Sequence, residues 1–421
     1  MKTSQTLVAA LCGLFACSVA YAAVPVVSNV TSQQRVGTKL VDITYNVADA
    51  DGDTLKIRIE VSSNSGTVYN VPVSSLTGAV GDNITPGNGK QIVWDAGVDW
   101  DGEYSAQMRI KVIASDAKGF PGMAWGNEIA AGGFLMGQDG GAEGSGPSRH
   151  VNIPWSFWLS KYEIRVDQYC EYLNIALAAG KVTRNGSTDV KSAVAIFPGA
   201  QTGFLLLNLG DTYDIRWNVN KFEPVTGLSD RPVSVTWWGA LAFATYYGYD
   251  LPTTAEWEKG ARGPNNDDEG EHQIYPWGNA LSGGYANYAN SSDPYDTGVY
   301  PQNKPANKTP VGYYNGNQTP FGPNTANGYG LYDVIGNVSE WTRSQNTTIE
   351  TYSQQESLLA SHNFLDNSAP MLARGGNFGH INTSTPLMLH SRQVLSTTSY
   401  NFSSDYGTGP YVGFRVIRRA P

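Results

Sequence analysis

Three stretches near the N-terminus alternate apolar and polar residues with period two. They are Lys39-Leu40-Val41-Asp42-Ile43-Thr44-Tyr45, Leu55-Lys56-Ile57-Arg58-Ile59-Glu60-Val61 and Gln107-Met108-Arg109-Ile110-Lys111-Val112-Ile113. Successive side chains of a strand point to opposite faces, so this alternation predicts half-buried antiparallel strands. Asp-Gly and Gly-Asn pairs between the runs supply the turns. The pattern over residues 23–117 therefore predicts an all-β sandwich.

Farther along, the period changes. Val166 to Ala179 carries apolar residues at helical spacing, and Trp237 to Tyr247 follows an N-cap, Thr236, and stops before Gly248. Thr253-Thr254-Ala255-Glu256 reads as a capping box, the Thr253 hydroxyl and the Glu256 carboxylate each taking an orphan amide, and Gly263 closes that helix. From Gly263 to Gly330 the chain is rich in Asn, Gly, Pro and Tyr with little periodicity. Such a stretch inside a compact domain implies function or pinning by ions. The organisation read from the pattern is a signal peptide over 1–22, the sandwich over 23–117, a glycine-bearing linker over 118–130 and a loop-rich α+β domain over 131–421.

The N-terminus carries the order expected of an export signal: Met1-Lys2-Thr3, an apolar run from Leu7 to Val19, then Ala20-Tyr21-Ala22. Cleavage after Ala22 places the protein in the periplasm, at the cell surface or outside the cell. A lipoprotein signal through Leu14-Phe15-Ala16-Cys17 is disfavoured by the bulk of Phe15. Processing removes Cys12 and Cys17, which leaves Cys170 as the only thiol and allows no intrachain disulfide. A formal charge of -9 supplies no basic surface for nucleic acid, and no later run is long and apolar enough for a transmembrane helix. Asp49-Ala50-Asp51-Gly52-Asp53 reads as a solvated turn, because an EF-hand loop begun at Asp49 needs glycine where Thr54 stands.

Several separated blocks resemble the formylglycine-generating-enzyme, or sulfatase-modifying-factor, family. In order they are Gly132-Gly133-Phe134-Leu135-Met136-Gly137, Tyr162-Glu163-Ile164, Arg231-Pro232-Val233, Leu251-Pro252-Thr253-Thr254-Ala255-Glu256-Trp257, Tyr275-Pro276-Trp277-Gly278, Asn327 to Trp341, Arg374-Gly375-Gly376 and Gly413-Phe414-Arg415. The resemblance implies a C-type-lectin-like α+β fold. Trp94-Asp95 and Trp100-Asp101-Gly102 in turn resemble the immunoglobulin-like or fibronectin-like modules found ahead of such domains in exported bacterial proteins.

The resemblance also implies chemistry. One calcium site of the family falls on the side chains of Asp333 and Glu340 with the carbonyls of Gly336 and Val338. The other falls on the side chains of Asn287 and Asp293 with the carbonyls of Tyr288 and Tyr295. The family enzyme converts a sulfatase cysteine to formylglycine with dioxygen and a copper ion held by two thiolates, and Cu(I) prefers such soft donors. Here the matching positions are His380 and Thr385, so copper is not expected. Asn377, His380, His390 and Arg392 remain as candidates to line a cleft for a peptide, protein or glycan. The reading is an exported, calcium-stabilised binding or envelope-associated module. Its alternative is a protein-modifying oxidoreductase that uses another metal or site.

Overall fold

A computed structural model of the chain describes residues 25–49, 54–66, 69, 71–116, 119–139, 148–185, 188–196, 201–212, 214–264, 273–296, 307–345, 370–381, 385–397, 401–404 and 407–420. Residues 1–22, read above as an export signal, and Asp51 to Asp53 lie outside these residues.

In the N-terminal region the alternating runs form strands: β1 Val26–Gln34, β2 Leu40–Ala48, β3 Leu55–Ser62, β4 Leu76–Gly78, β5 Gly81–Ile84 and β6 Gly87–Asp95. A one-turn helix α1, Ala96–Asp99, and a last strand β7, Arg109–Asp116, complete the region. They make two antiparallel sheets, ordered β1-β2-β6-β4 and β5-β3-β7. Every second residue of β2 and β6 (Ile43, Tyr45, Val47, Ile92, Trp94) meets Leu55, Ile57, Ile59 and Val61 of β3 and Val112 of β7 in one shared core. Asp99 pins α1 to this core. Its carboxylate accepts from the Ser74 and Ser75 amides at 2.7 and 2.8 Å, from their hydroxyls at 2.6 and 2.9 Å, and from Trp94 Nε1 at 2.9 Å.

The C-terminal region begins with β8 Gly132–Met136, β9 Arg149–Ile153, β10 Phe157–Leu159 and helix α2 Val166–Ala178. The strands β11 Val182–Asn185, β12 Asp189–Ser192 and β13 Leu205–Asn208 follow, then the single turn α3 Leu209–Thr212 and the pair β14 Ile215–Asn218 and β15 Lys221–Pro224. Next come α4 Trp237–Tyr246, α5 Thr254–Arg262, β16 Ser339–Gln345, β17 Met371–Arg374 and β18 Gln393–Leu395. The chain ends with β19 Asn401–Ser404, β20 Gly407–Pro410, β21 Val412–Gly413 and β22 Ile417–Arg419. Helix α4 is apolar all round and buried from Trp237 to Ala244, as a helix without a solvent face must be. Its Phe243 stacks on Tyr169 of α2 at 5.9 Å and meets Phe414 edge-on at 5.4 Å. The capping box of α5 forms: Glu256 N donates to Thr253 Oγ1 at 3.1 Å and Thr253 N to Glu256 Oε2 at 2.9 Å.

The stretch read as a linker belongs instead to the C-terminal core. Phe120 is buried against Phe243 and Tyr247, with ring centroids 6.0 and 5.2 Å away, and Ile129 exchanges two backbone hydrogen bonds with Phe157 at 2.9 and 3.0 Å. Glycine content suggested a connector, but two well-placed apolar side chains decide the packing. The aperiodic stretch after Gly263 is held by side-chain amides. Asn327 Nδ2 donates to the Gly260 and Ala261 carbonyls at the end of α5, at 2.7 and 3.0 Å, while its Oδ1 accepts from the Tyr329 and Leu331 amides. Gln318 Nε2 ties Gly284 O to Pro323 O, each at 2.8 Å.

Candidate functional site

The site is built on the sheet ordered β18-β17-β16-β21. Strand β17 ends in Arg374, and Gly375 and Gly376 then turn the chain with φ of 85° and 67°. A Cβ at Gly376 would meet Leu387 Cδ2 at 2.8 Å and Pro386 O at 2.9 Å, so both the backbone angle and the space require glycine there. Arg374 anchors both flanks of this turn. It pairs with Glu258 of α5 and donates through Nη1 to Ser391 O at 2.6 Å, which holds the loop carrying His390. Glu258 also accepts from Arg262 Nε at 2.9 Å and from Gly137 N at 2.8 Å. Burial works to raise the Glu258 carboxyl, but Arg374 and Arg262 outweigh it and hold it down at about 2.

Beyond the turn lies a fully buried polar relay. Asn377 Nδ2 donates to Ser339 Oγ at 3.0 Å, and Ser339 Oγ donates to Gln393 Oε1 at 2.9 Å. Asn377 also shapes its own loop: its Oδ1 accepts from Gly379 N at 2.9 Å and its N–H donates to His380 Nδ1 at 3.1 Å. With Nδ1 accepting, the neutral His380 ring carries its proton on Nε2. The His380 carbonyl accepts from Ala289 N at 2.8 Å, so this residue braces two loops. Of the sequence candidates, Asn377 and His380 therefore meet directly, His390 is buried on the adjoining loop, and Arg392 is half-buried just before β18. The side chain of Thr385 lies outside the described residues. Ser339 and Gln393 escaped the sequence reading, although polar residues on strands with buried inner faces are the available signal.

Asp333 and Glu340 fall in a second cluster, with Glu163. The Glu340 carboxylate is occupied: Arg415 Nε and Nη2 each donate to it at 2.6 Å, and Trp257 Nε1 donates at 2.6 Å. Arg415 spends its remaining reach on Ser160 O and Tyr332 O, at 3.0 and 2.9 Å. Glu163 accepts from Val338 N at 3.2 Å and from Asn337 Nδ2 at 2.8 Å, and Asp333 accepts from Gly312 N. Three buried carboxylates thus share one guanidinium. Burial raises Glu163 well above the usual carboxylate range, with Asp333 and Glu340 adding to it. Burial, followed by weaker opposing contributions, lifts Asp333 to about 6. Burial and mutual repulsion thus favour the protonated forms of Glu163 and Asp333. Glu340 is placed differently from the expectation, because its charge is already answered by Arg415.

The residues of the second expected calcium set are hydrogen-bonded to their neighbours. Asp293 Oδ1 accepts from the Tyr295 and Asp296 amides at 2.8 and 3.0 Å, and Oδ2 from the Ser291 and Tyr314 hydroxyls at 2.7 and 2.8 Å. All four lone-pair positions of that carboxylate are taken. The Asn287 amide donates to Asn307 O at 2.7 Å and Asn337 Oδ1 at 3.2 Å, and the Tyr288 carbonyl accepts from Ser291 N at 3.0 Å. Tyr295 lies under the Arg231 guanidinium, 4.4 Å from its ring centroid. Among the described residues no three His, Cys, Asp or Glu side chains come together to hold a metal by themselves. The copper donor set does not fit either. Among the described residues the one cysteine, Cys170, is buried in α2 with its thiol pushed up by burial.

Comparison with known proteins places this geometry. The formylglycine-generating enzyme of Bos taurus is 29% identical over 231 residues, covering 51% of this chain and 56% of that protein. The chain thus spans little more than half the length of that relative. The formylglycine-generating enzyme of Thermomonospora curvata is 32% identical over 228 residues, covering 51% of this chain and 69% of that protein. The inactive C-alpha-formylglycine-generating enzyme 2 of Bos taurus is 28% identical over 236 residues, covering 52% and 70%. Residues 116–420 match the family described as "Sulfatase-modifying factor enzyme 1-like domain", and the chain belongs to that family.

Proposed function

We propose that this protein is an exported, calcium-stabilised binding module that keeps the family scaffold without copper-dependent cysteine oxidation. What supports the reading is the donor set: by the family resemblance His380 and Thr385 match the positions of the family's thiolates, and Nδ1 of His380 accepts from Asn377 N to close its own turn. An imidazole and a hydroxyl are a poor pair for Cu(I). Cys170, inside α2, is far removed in role, packed as a small apolar side chain. A relative whose name calls it inactive, at 28% identity, supports the idea that this scaffold persists without that chemistry. Calcium, when bound, supplies positive charge to the Glu163 and Asp333 cluster; Asp333 would hold it with the carbonyls of Gly336 and Val338. The C-type-lectin-like domain then offers its loops to a peptide, protein or glycan, and the immunoglobulin-like sandwich acts as a spacer.

The test is to incubate purified mature protein with copper, reductant, oxygen and a Cys-x-Pro-x-Arg peptide, and to follow the peptide by mass spectrometry. The expected result is an unchanged cysteine. Conversion to formylglycine that disappears in His380→Ala would replace the binding reading with that of an oxidoreductase using another metal or site.

A further inference from the structure

We propose that Lys308 and Asp214 become joined by an isopeptide bond that the folded chain forms by itself, the Lys308 amine condensing with the Asp214 carboxyl. The two residues stand 94 apart in sequence, Asp214 just before β14 and Lys308 in the aperiodic stretch after Gly263. Their side chains are 0% and 1% exposed, and Lys308 Nζ lies 2.5 Å from Asp214 Oδ2. The amine also donates to Pro232 O at 2.9 Å and to Ser234 Oγ at 3.0 Å. Asp214 Oδ1 is buried with no hydrogen-bond partner, a poor arrangement for a carboxylate that is to stay charged. The backbone is fixed at both ends. Arg231 Nη1 donates to Lys308 O, Asn287 Nδ2 to Asn307 O at 2.7 Å and Thr309 N to Asn337 Oδ1 at 3.0 Å, while Val225 N donates to Asp214 O at 2.8 Å. Groups held in this way meet at a high effective concentration.

The pair differs from its buried neighbours in its cation. Glu258 and Glu340 face guanidiniums, which stay protonated, whereas Asp214 faces a primary amine, a group that gives up its proton readily when buried. Burial raises the Asp214 carboxyl against the pull of Lys308, and burial lowers the Lys308 amine against the pull of Asp214. Both shifts favour moving one proton from Nζ to the carboxyl, which turns the ion pair into a neutral amine and a neutral acid with Oδ1 as its hydroxyl. The two remaining amine protons then rest on Pro232 O and Ser234 Oγ, and the lone pair is left for Asp214. The Nζ–Cγ bond forms while Oδ2 takes the developing negative charge, and Ser234 N donates to that oxygen at 3.3 Å. One proton passes from Nζ to the Oδ1 hydroxyl, the Cγ–Oδ1 bond breaks and water leaves. The product is a neutral amide that keeps one N–H, so the balance needs no oxidant, metal or second chain. It removes two buried charges and ties the aperiodic stretch to the domain core covalently.

The test is made on the wild-type protein, purified without denaturant and kept at neutral pH, by intact mass and then by tryptic digestion with fragmentation of the peptides. The N-terminus read from the same digest fixes the reference mass. The expected result is a chain lighter than its sequence by one water, no cleavage after Lys308, and one branched peptide whose fragments join Lys308 to Asp214. Lys308→Arg, which keeps the charge but offers no amine, and Asp214→Ala should each show the full sequence mass. The decisive reading is made on wild type, so a variant that fails to fold does not blunt it. Wild type at full sequence mass after prolonged incubation, with cleavage after Lys308 and a free Asp214 carboxyl, would overturn the proposal and leave a buried ion pair in its place. A lost water that the fragments assign to any other residue would overturn it as well. Neither outcome bears on whether the domain binds or oxidises, so this inference and the proposed function stand or fall separately.

Discussion

In the N-terminal region the ion pair Arg35–Asp42 has side chains 46% and 44% exposed, and Lys39–Asp101 is more exposed still. In the C-terminal region Arg415–Glu340 is 0% exposed on both sides, and Arg374–Glu258, Arg262–Glu258 and Lys308–Asp214 are buried as deeply. The first region is held by alternating apolar strands, and its charges decorate the surface. The second has its loops fixed by individual charges that each satisfy several backbone carbonyls, as Arg415 does for Ser160 and Tyr332 and Arg374 for Ser391. Irregular backbone leaves polar groups that no ladder satisfies, and buried guanidiniums and side-chain amides take that role. The lesson is that the two regions should fail differently.

The largest expected effect follows from leaving Glu340 buried without its partner. Arg415→Met should cost about 3–5 kcal/mol in urea denaturation, and Glu340→Leu added to it should recover much of the loss. A cost near that of a surface pair would mean that the cluster is hydrated and the comparison misdrawn.

Calcium comes next. A cation bound only by the folded state at a hundredfold excess over its dissociation constant adds about 2.7 kcal/mol. Chelator added to protein of verified calcium content should lower the melting temperature, and Asp333→Asn should remove most of that response. An equal response in the variant would move the ion elsewhere.

The N-terminal region responds to acid through Asp99. Burial works to raise this carboxyl, but the hydrogen bonds from Ser74, Ser75 and Trp94 win and hold it at about 2. A depressed folded value gives stability that is present above the unfolded range near ~4 and is lost as pH falls through about 2. Asp99→Asn should cost about 2 kcal/mol at neutral pH and flatten the acid limb of the stability profile. The smallest effect belongs to the surface. Arg35→Ala should change stability by less than about 1 kcal/mol, and less again in high salt.

Much of this architecture was legible in the sequence where a period or a local device carries it. The alternation over residues 55–61 lies within the observed strand Leu55–Ser62, and Trp237 to Tyr247 became a helix over Trp237–Tyr246. The capping box at Thr253 and Glu256 formed as read. The rest depends on contacts between residues far apart in the chain. Nothing local marks Glu340 as the partner of Arg415, 75 residues away, or Asn327 as the amide that caps the end of α5. Family resemblance named Asp333 and His380 as candidates but not the hydrogen-bond partners that the fold gives them, and it passed over Ser339 and Gln393.

The central claim is that the thiolate pair of the family has been replaced by a neutral, hydrogen-bonded loop. Titration of the purified protein with Cu(I) against a competing chelator of known affinity tests it most directly. The prediction is no stoichiometric tight binding and no difference between wild type and His380→Ala. One tightly held Cu(I) per chain that is lost in His380→Ala would contradict it and put a metal centre where this structure places a brace.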